Sequence, residues 1–349
     1  MLSASDQQAL LNWYDEHQRD LPWRATDDPW AILLSEVLLQ QTQVARGLVY
    51  WQRMVEAFPT VASMAQAPVD AVLKAWEGAG YYSRARRLHA LSQRVVLPAI
   101  EGGFDGRLPS SYDSLLSLPG IGPYTAAAVA SIAFGQPVAC VDGNIRRVMA
   151  RQTAQPAPAP TDVQTWADGS LHAERPGDWN QALMELGATV CTPKRVRCEQ
   201  CPVAPSCAGR STPERYPLPK RQRIKSVVMT AIVDHDVKGR PLLHQRPSAG
   251  LFGGLWGPEY QEGRAQRGEK YLHAGVVKHQ LSHRSMTVDV LVGVSPVASD
   301  GVERAAVATS TLDEKVLALA TRALETSMSN DEDQRRSYEK KEVGDGAEV

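Results

Sequence analysis

The chain has 349 residues, with 38 Lys and Arg against 39 Asp and Glu and a formal net charge of −1. A length of this order accommodates two or three domains, each with its own core, and 43% apolar with 22% charged residues excludes wholesale disorder. No run of about 18 apolar residues marks a membrane span, and Met1 to Asp6 lack the basic stretch of a secretory signal, so a cytoplasmic protein is expected.

Residues 6–151 read as mostly helical. The segment 30–46 is apolar almost all round and is expected as one buried helix. Pro59, Pro68, Pro98 and Pro109 punctuate helices of ordinary length. Glu36 lies in the most apolar stretch, among Leu33, Leu34, Val37, Leu38 and Leu39. A carboxyl buried there loses hydration and favours its neutral form, which a general acid needs at neutral pH. On a narrow polar stripe with Gln40 and Gln43 it would face solvent instead.

The string Leu118-Pro-Gly-Ile-Gly-Pro-Tyr-Thr-Ala126 puts Gly120 and Gly122 between two helices. Bare amides at such a helix start can hold an anion. The glycines alone fit a ligand-free corner equally well; the full string is the signature of a helix-hairpin-helix element. Cys140 reads as a small core residue. Asp142, in Val-Asp-Gly-Asn-Ile-Arg-Arg-Val, fits a helix N-cap. Taken with Glu36 it offers a second possibility. One neutral acid and one ionised carboxylate are the equipment for cleaving a glycosidic bond through an oxocarbenium-like state.

Residues 155–161, with alternating prolines, read as a stiff connection, and 162–190 as further helix. The net charge then resolves into parts: −5 over 1–189, +7 over 190–225 and −3 over 226–349. The basic island contains Cys191, Cys198, Cys201 and Cys207, spaced C-x6-C-x2-C-x5-C. In a reducing compartment four such thiols point to a metal rather than to disulfides, and zinc or an iron–sulfur cluster both suit sulfur ligation. Lys194, Arg195 and Arg197 stand between the first two cysteines, where a rigid loop would present them to phosphates; a solvated basic face is the plainer alternative.

Residues 208–226 are Pro-rich and basic, a candidate linker. Beyond them the periodicity turns to alternation, with strands expected at 227–233 and 288–294 and a turn at 237–240. A mixed α/β domain is expected over 227–325. The charged tail 326–349 has almost no apolar residues and is expected to lack order.

Together these strings resemble the bacterial adenine DNA glycosylases, within the endonuclease III superfamily of helix-hairpin-helix base-excision enzymes. The resemblance covers about residues 10–325. It rests on Leu21-Pro-Trp-Arg24, Ser35-Glu-Val-Leu-Leu-Gln-Gln-Thr-Gln43, Trp76-Glu-Gly-Ala-Gly-Tyr-Tyr-Ser-Arg84, the 118–126 hairpin, Val141-Asp-Gly-Asn-Ile-Arg-Arg147 and the cysteine loop. It implies a mainly α, two-subdomain helix-hairpin-helix glycosylase fold over 1–207 with an iron–sulfur loop at 191–207. A Nudix-like α/β domain that reads 8-oxoguanine follows over 227–325. It implies one [4Fe–4S] cluster on Cys191, Cys198, Cys201 and Cys207, and a monomer acting on duplex DNA with A:8-oxoguanine or A:G mispairs in the bacterial nucleoid.

By the same resemblance Glu36 protonates the flipped adenine, and Asp142 stabilises the sugar cation with Tyr124 and Asn144 assisting. Trp23, Arg24 and Glu185 form the base pocket. Leu39, Gln41, Thr42 and Tyr81 meet the opened stack, Gly120 and Gly122 the backbone. Bifunctional relatives place a lysine where Tyr124 stands, and no lysine occurs between Lys74 and Lys194, so an amine-free, monofunctional hydrolase is expected. The lesion-reading Phe-Ser-His loop of the family is Leu281-Ser282-His283 here, lacking the aromatic. No Glu-rich Nudix string occurs in 227–325, so that domain is expected to bind without hydrolysing. An endonuclease III-like glycosylase/lyase and a non-enzymatic iron–sulfur DNA-binding protein are the competing readings.

Overall fold

Short polar side chains and prolines set the helix starts. Ser3 and Asp6 form a capping box, Asp28 accepts the Trp30 N–H, and Asp142 accepts the Ile145 N–H. Proline occupies the first turn after Asp28, Gly122, Ala159 and Arg175, where no intrahelical donor is needed. A computed structural model describes residues 1–219, 224–265 and 268–344. The 220–223 part of the expected linker and the end of the tail, 345–349, lie outside the described residues. The chain divides into two compact units, Met1–Ala75 with Ser83–Lys220, and Trp76–Tyr82 with Arg221–Val349.

The first unit is helical. Its elements are α1 (Ala4–His17), α2 (Pro29–Leu38), α3 (Val44–Ala57), α4 (Val61–Gln66), α5 (Val69–Ala75) and α6 (Ser83–Val96). They are followed by α7 (Tyr112–Leu116), α8 (Pro123–Phe134), α9 (Gly143–Gln152), α10 (Pro160–Gly169) and α11 (Pro176–Thr189). The Ala-rich α8 is buried along most of its length and packs on both α2 and α11. Small side chains permit that close approach. Leu10, Leu11 and Tyr14 of α1 join Trp179, Leu183 and Leu186 of α11 in the same core.

The helix expected over 30–46 is two helices. α2 stops at Leu38, and the chain turns through residues 39–43, with Gln41 at φ 59. Thr42 N–H bonds back to the Leu39 carbonyl. Arg84, buried on α6, gives one guanidinium nitrogen to the carbonyls of Val37, Leu38 and Gln40, satisfying the helix end. Apolar residues on both sides hid this break from the hydrophobic pattern. The helix expected over 162–190 is likewise split into α10 and α11, with Pro176 opening the second. Residues 208–218, expected as linker, are docked. Ala208 and Gly209 amides bond to the Gln152 and Arg151 carbonyls, and the Leu218 amide to that of Pro156.

The second unit contains β1 (Lys225–Val233), β2 (His244–Gln245), β3 (Trp256–Gly257), β4 (Glu259–Glu262), β5 (Tyr271–Gln280), β6 (Arg284–Gly293) and α12 (Thr311–Gly344). The main sheet runs β4-β1-β6-β5, with β1 and β6 parallel and both outer pairings antiparallel. Val288, Val290 and Val292 lie beside Ala231 and Val233 of the neighbouring strand and share one core with Leu312, Val316 and Leu317, as period-2 alternation requires. The turn at 237–240 is held by Asp236, whose Oδ1 accepts the Lys238 and Arg240 amides. The tail departs from expectation, because its backbone stays helical to Gly344. A charged composition removes the means to build a core, but Glu, Lys, Arg and Gln are good helix formers. No helix among the described residues is long and apolar enough to cross a membrane.

Candidate active site

Three elements of the helical unit bring the two carboxylates into one electrostatic neighbourhood. Glu36 sits on α2 with 7% of its surface exposed. Tyr124, in the first turn of α8, donates its hydroxyl to Glu36 Oε2 at 2.6 Å and lies 3.2 Å from Met184 Sδ on α11. Burial pushes the Glu36 carboxyl up to about 7; the Tyr124 hydroxyl and the more distant Arg24 pull it down, and the Asp142 charge pushes it further up. The solvent-facing alternative for Glu36 is thereby set aside. Burial, reinforced by Glu36, keeps the Tyr124 phenol protonated, well above its ordinary value.

Asp142 caps α9, as its sequence context suggested, and that cap also aims it. Oδ1 accepts the Ile145 amide at 2.7 Å and Oδ2 accepts Asn144 Nδ2 at 2.7 Å. Burial raises its carboxyl, against the pull of those two donors and of Arg147. Asn144 is fixed in turn by Arg147, whose Nη2 reaches Asn144 Oδ1 at 2.9 Å and the Gly187 carbonyl at 2.7 Å. Arg147 Nε donates to the Cys191 carbonyl at 2.8 Å. One guanidinium therefore joins the Asp142 cap to the first cysteine.

Arg24 and Glu185 also come together. Glu185 is 1% exposed. It accepts Arg19 through Nε at 2.6 Å and Nη2 at 2.7 Å, and Arg24 Nη2 at 2.8 Å. Burial alone would raise its carboxyl; the two arginines outweigh burial and hold it below its ordinary value. Arg24 also lies over the Tyr14 ring, 5.4 Å from its centroid. Trp23 is buried edge-on against Trp51, so its position is that of a wall.

The residues expected to meet DNA lie on turns. Leu39, Gln41 and Thr42 form the corner between α2 and α3. Gly120 has φ 80, and a Cβ there would meet Arg87 Cβ at 2.5 Å. Gly122 is the N-cap of α8. In the second unit Ser282 and His283 are exposed in the β5–β6 hairpin turn, closed by the Leu281 amide on the Arg284 carbonyl. Tyr81, 45% exposed with φ 47, shares a 2.9 Å hydrogen bond with Ser282. Positive φ at a non-glycine residue is strained, and both proposed stack-filling residues, Gln41 and Tyr81, have it.

The four cysteines of the basic island line a single pocket together with Arg151, Arg197 and Arg210. Among the described residues no three His, Cys, Asp or Glu converge as a one-ion site does; the thiols surround a space instead. Arg151 Nη1 reaches Cys191 Sγ at 3.2 Å and the carbonyls of Cys191 and Thr192 at 3.0 and 2.9 Å. Burial pushes the Cys201 thiol up to about 12, so thiolates there call for a bound cation. Lys194 and Arg195 are exposed on the loop, while Arg197 is tied back to the Thr189 carbonyl.

Residues 34–167 match the HhH-GPD superfamily of base excision DNA repair proteins. The chain is 44% identical over 224 residues to the adenine DNA glycosylase of Homo sapiens, covering 60% of this chain and 40% of that protein. With the Mus musculus enzyme it shares 35% over 328 residues, 77% of this chain and 62% of the other. It therefore spans less than two thirds of these mammalian relatives. The adenine DNA glycosylase of Mycolicibacterium smegmatis is 41% identical over 239 residues, 67% of this chain and 78% of that protein. The chain belongs to the adenine DNA glycosylase family. Among solved structures, a thermostable thymine-DNA glycosylase is similar with a TM-score of 0.54 and 28% identity, covering 59% of this chain and 94% of that one. A trapped endonuclease III–DNA intermediate is similar with a TM-score of 0.52 and 22% identity, covering 60% and 98%; at that identity the likeness is one of fold.

Several residues around this candidate site were given no role by the sequence. Arg19, Arg147 and Arg151 look like ordinary surface cations in the sequence, and Met184 like a core filler. Only the last two arginines had a hint: both lie on one face of α9, at four-residue spacing.

Proposed function

We propose that this chain hydrolyses the N-glycosidic bond of adenine in duplex DNA, where adenine stands opposite 8-oxoguanine or guanine. The observation that carries this reading is the 2.6 Å bond from Tyr124 to a buried Glu36 whose carboxyl is pushed up to about 7 beside Asp142. A glycosidic bond inside the stack is out of reach, so adenine is flipped out first. Neutral Glu36 transfers its proton to the adenine ring, and the base leaves uncharged with the bonding electron pair. The Tyr124 hydroxyl stabilises the carboxylate this creates. Asp142, aimed by Ile145 and Asn144, offsets the positive sugar. Water adds to the anomeric carbon and gives its proton to the Glu36 carboxylate, which restores the acid. Tyr124 carries no amine, so the sugar is not held as a Schiff base and the strand stays intact.

Arg24 and Glu185 supply a charged, pre-organised wall for the flipped base. A donor set of four thiols round one pocket, with Arg151 against Cys191 Sγ, fits one [4Fe–4S] cluster on Cys191, Cys198, Cys201 and Cys207. When bound, it would neutralise the thiolates and stiffen the loop that offers Lys194 and Arg195 to phosphates. The sheet unit, Nudix-like in this proposal, would read the opposite base through Ser282 and His283, with Tyr81 beside them. The protein would act as a monomer in the bacterial cytoplasm.

The test is a duplex with A opposite 8-oxoguanine, quenched with or without alkali. Strand breaks only after alkali are expected. Breaks without alkali, or borohydride trapping of the protein on DNA, would overturn the amine-free mechanism. A brown visible absorbance that bleaches on oxidation separates an iron–sulfur cluster from colourless zinc.

A further inference from the structure

Tyr124 has one hydroxyl proton and two acceptors within reach. Glu36 Oε2 is at 2.6 Å on one side and Met184 Sδ at 3.2 Å on the other. A thioether sulfur accepts weakly and donates nothing, so its place beside a phenol calls for an explanation beyond packing. We propose that Met184 is a positioning residue: its sulfur receives the Tyr124 hydroxyl whenever Glu36 carries a proton, and releases it when Glu36 is ionised.

The proton count runs as follows. With Glu36 ionised, the Tyr124 O–H donates to Oε2. When Oε2 is protonated, that new O–H donates to the Tyr124 oxygen, and the phenol proton must turn elsewhere. It rotates to Met184 Sδ without any covalent bond breaking. When Glu36 gives its proton to the leaving base, the hydroxyl swings back to the carboxylate. The sulfur thus stabilises the armed acid and has no part in the spent one. Without it a half-buried hydroxyl would lose its protein acceptor in the armed state.

The groups around Glu36 leave room for this device. Tyr124 comes from α8, Asp142 and the buried Cys140 from the segment ahead of α9, and Arg24 from the turn before α2. α3, also packed on α2, buries Gly47, Trp51 and Met54, none ionisable. Met184 is the neighbour that can hold the hydroxyl without adding charge. Its sequence neighbour Glu185 is fully engaged by Arg19 and Arg24.

This inference rests on the acid role proposed for Glu36, and two readouts keep them apart. One is the Glu36 carboxyl resonance in protein labelled with carbon-13 glutamate, identified by its loss in Glu36→Gln. The other is the pH profile of single-turnover adenine release. Met184→Leu, which keeps the volume, is expected to lower the Glu36 midpoint by about half a pH unit, the size of one weak hydrogen bond. Release at pH 8 should then fall by about two- to five-fold and stay unchanged at pH 5.5. Met184→Gln, which restores an acceptor, should recover the midpoint. In a Tyr124→Phe background Met184→Leu should move nothing more.

An unmoved midpoint in Met184→Leu, as when the proton sits on Oε1 and the hydroxyl never leaves Oε2, overturns the proposal. So does an equal movement in the Tyr124→Phe background, which would signal packing alone. A Met184-sensitive Glu36 midpoint in a protein that releases no adenine would sink the proposed function and leave this switch standing.

Discussion

Replacing Glu36 with Gln should make the helical unit more stable at alkaline pH while abolishing adenine release. In the folded protein burial lifts the carboxyl from 4.5 to about 7. The folded state therefore binds this proton more tightly than the unfolded chain does. Its stability is undiminished below about pH 4.5, falls as pH rises toward 7, and stays at the lower level above that. At about 1.4 kcal/mol per pH unit the loss is about 3 kcal/mol, an upper value because local relaxation softens it. Gln has the same shape, keeps an oxygen for the Tyr124 hydroxyl and does not ionise. The difference between variant and parent should grow by about 2–3 kcal/mol between pH 5 and pH 8.5. Every group away from the site titrates alike in both proteins, so the difference reports Glu36 with its coupling to Asp142. Urea unfolding followed by tryptophan emission suits the measurement, because Trp13, Trp23, Trp30, Trp51, Trp166 and Trp179 all lie in the helical unit. A stability difference independent of pH would refute the burial argument, and with it the reason for calling Glu36 an acid.

Asp142→Asn keeps the cap on the Ile145 amide, since Asn caps as well as Asp. Its other terminal atom turns from an acceptor of Asn144 Nδ2 into a donor facing it, so stability should fall by about 1 kcal/mol while single-turnover release slows by at least about a hundred-fold; a loss of release no larger than the stability change would make Asp142 merely structural. Gly120→Ala forces a Cβ into Arg87 at positive φ and should lower stability by about 2 kcal/mol. Binding to matched and mismatched duplex should weaken alike, as fluorescence anisotropy can show. Arg151→Met removes one of the cations around the cysteine pocket and leaves the carbonyls of Cys191 and Thr192 without their Nη1 donor. Iron content per chain and melting temperature should both drop, with about 3 kcal/mol lost; a variant with full iron would show that the thiols alone shape the loop.

What the sequence disclosed and what it concealed divide along physical lines. Glu36 was legible because a charge in an apolar run is a local anomaly, and the hairpin because Gly120 and Gly122 are backbone requirements written as residue type. Asp142 gave two meanings; the structure shows the N-cap, and the catalytic role is the one proposed for the same carboxylate. The corner at Gln41 was invisible, since the residues flanking it are as apolar as a continuous helix and its stabiliser, Arg84, comes from another helix more than forty positions away. The partners of Arg19, Arg147 and Arg151 were illegible for the same reason, although Arg147 stands in the 141–147 string. A guanidinium's role depends on which carbonyls and carboxylates the fold brings to it, and no local pattern encodes that. The helical tail was misjudged because poverty in apolar residues predicts the absence of a core rather than the absence of a helix.

Arg151 has one more consequence, for the order in which the molecule comes apart. Its Nη1 holds Cys191 and Thr192, and its Nε holds the carbonyls of Pro213 and Tyr216. The cysteine loop and the strap that follows it thus share one buried side chain on α9 as an anchor, beside the Arg147 bond to Cys191. Segments that share an anchor tend to open together, as a cooperative unit whose free energy lies below that of global unfolding. The amides of Ala208, Gly209 and Leu218, each bonded back to the 151–156 region, should then exchange with solvent hydrogen at one common rate, and the route to the thiols would open with them.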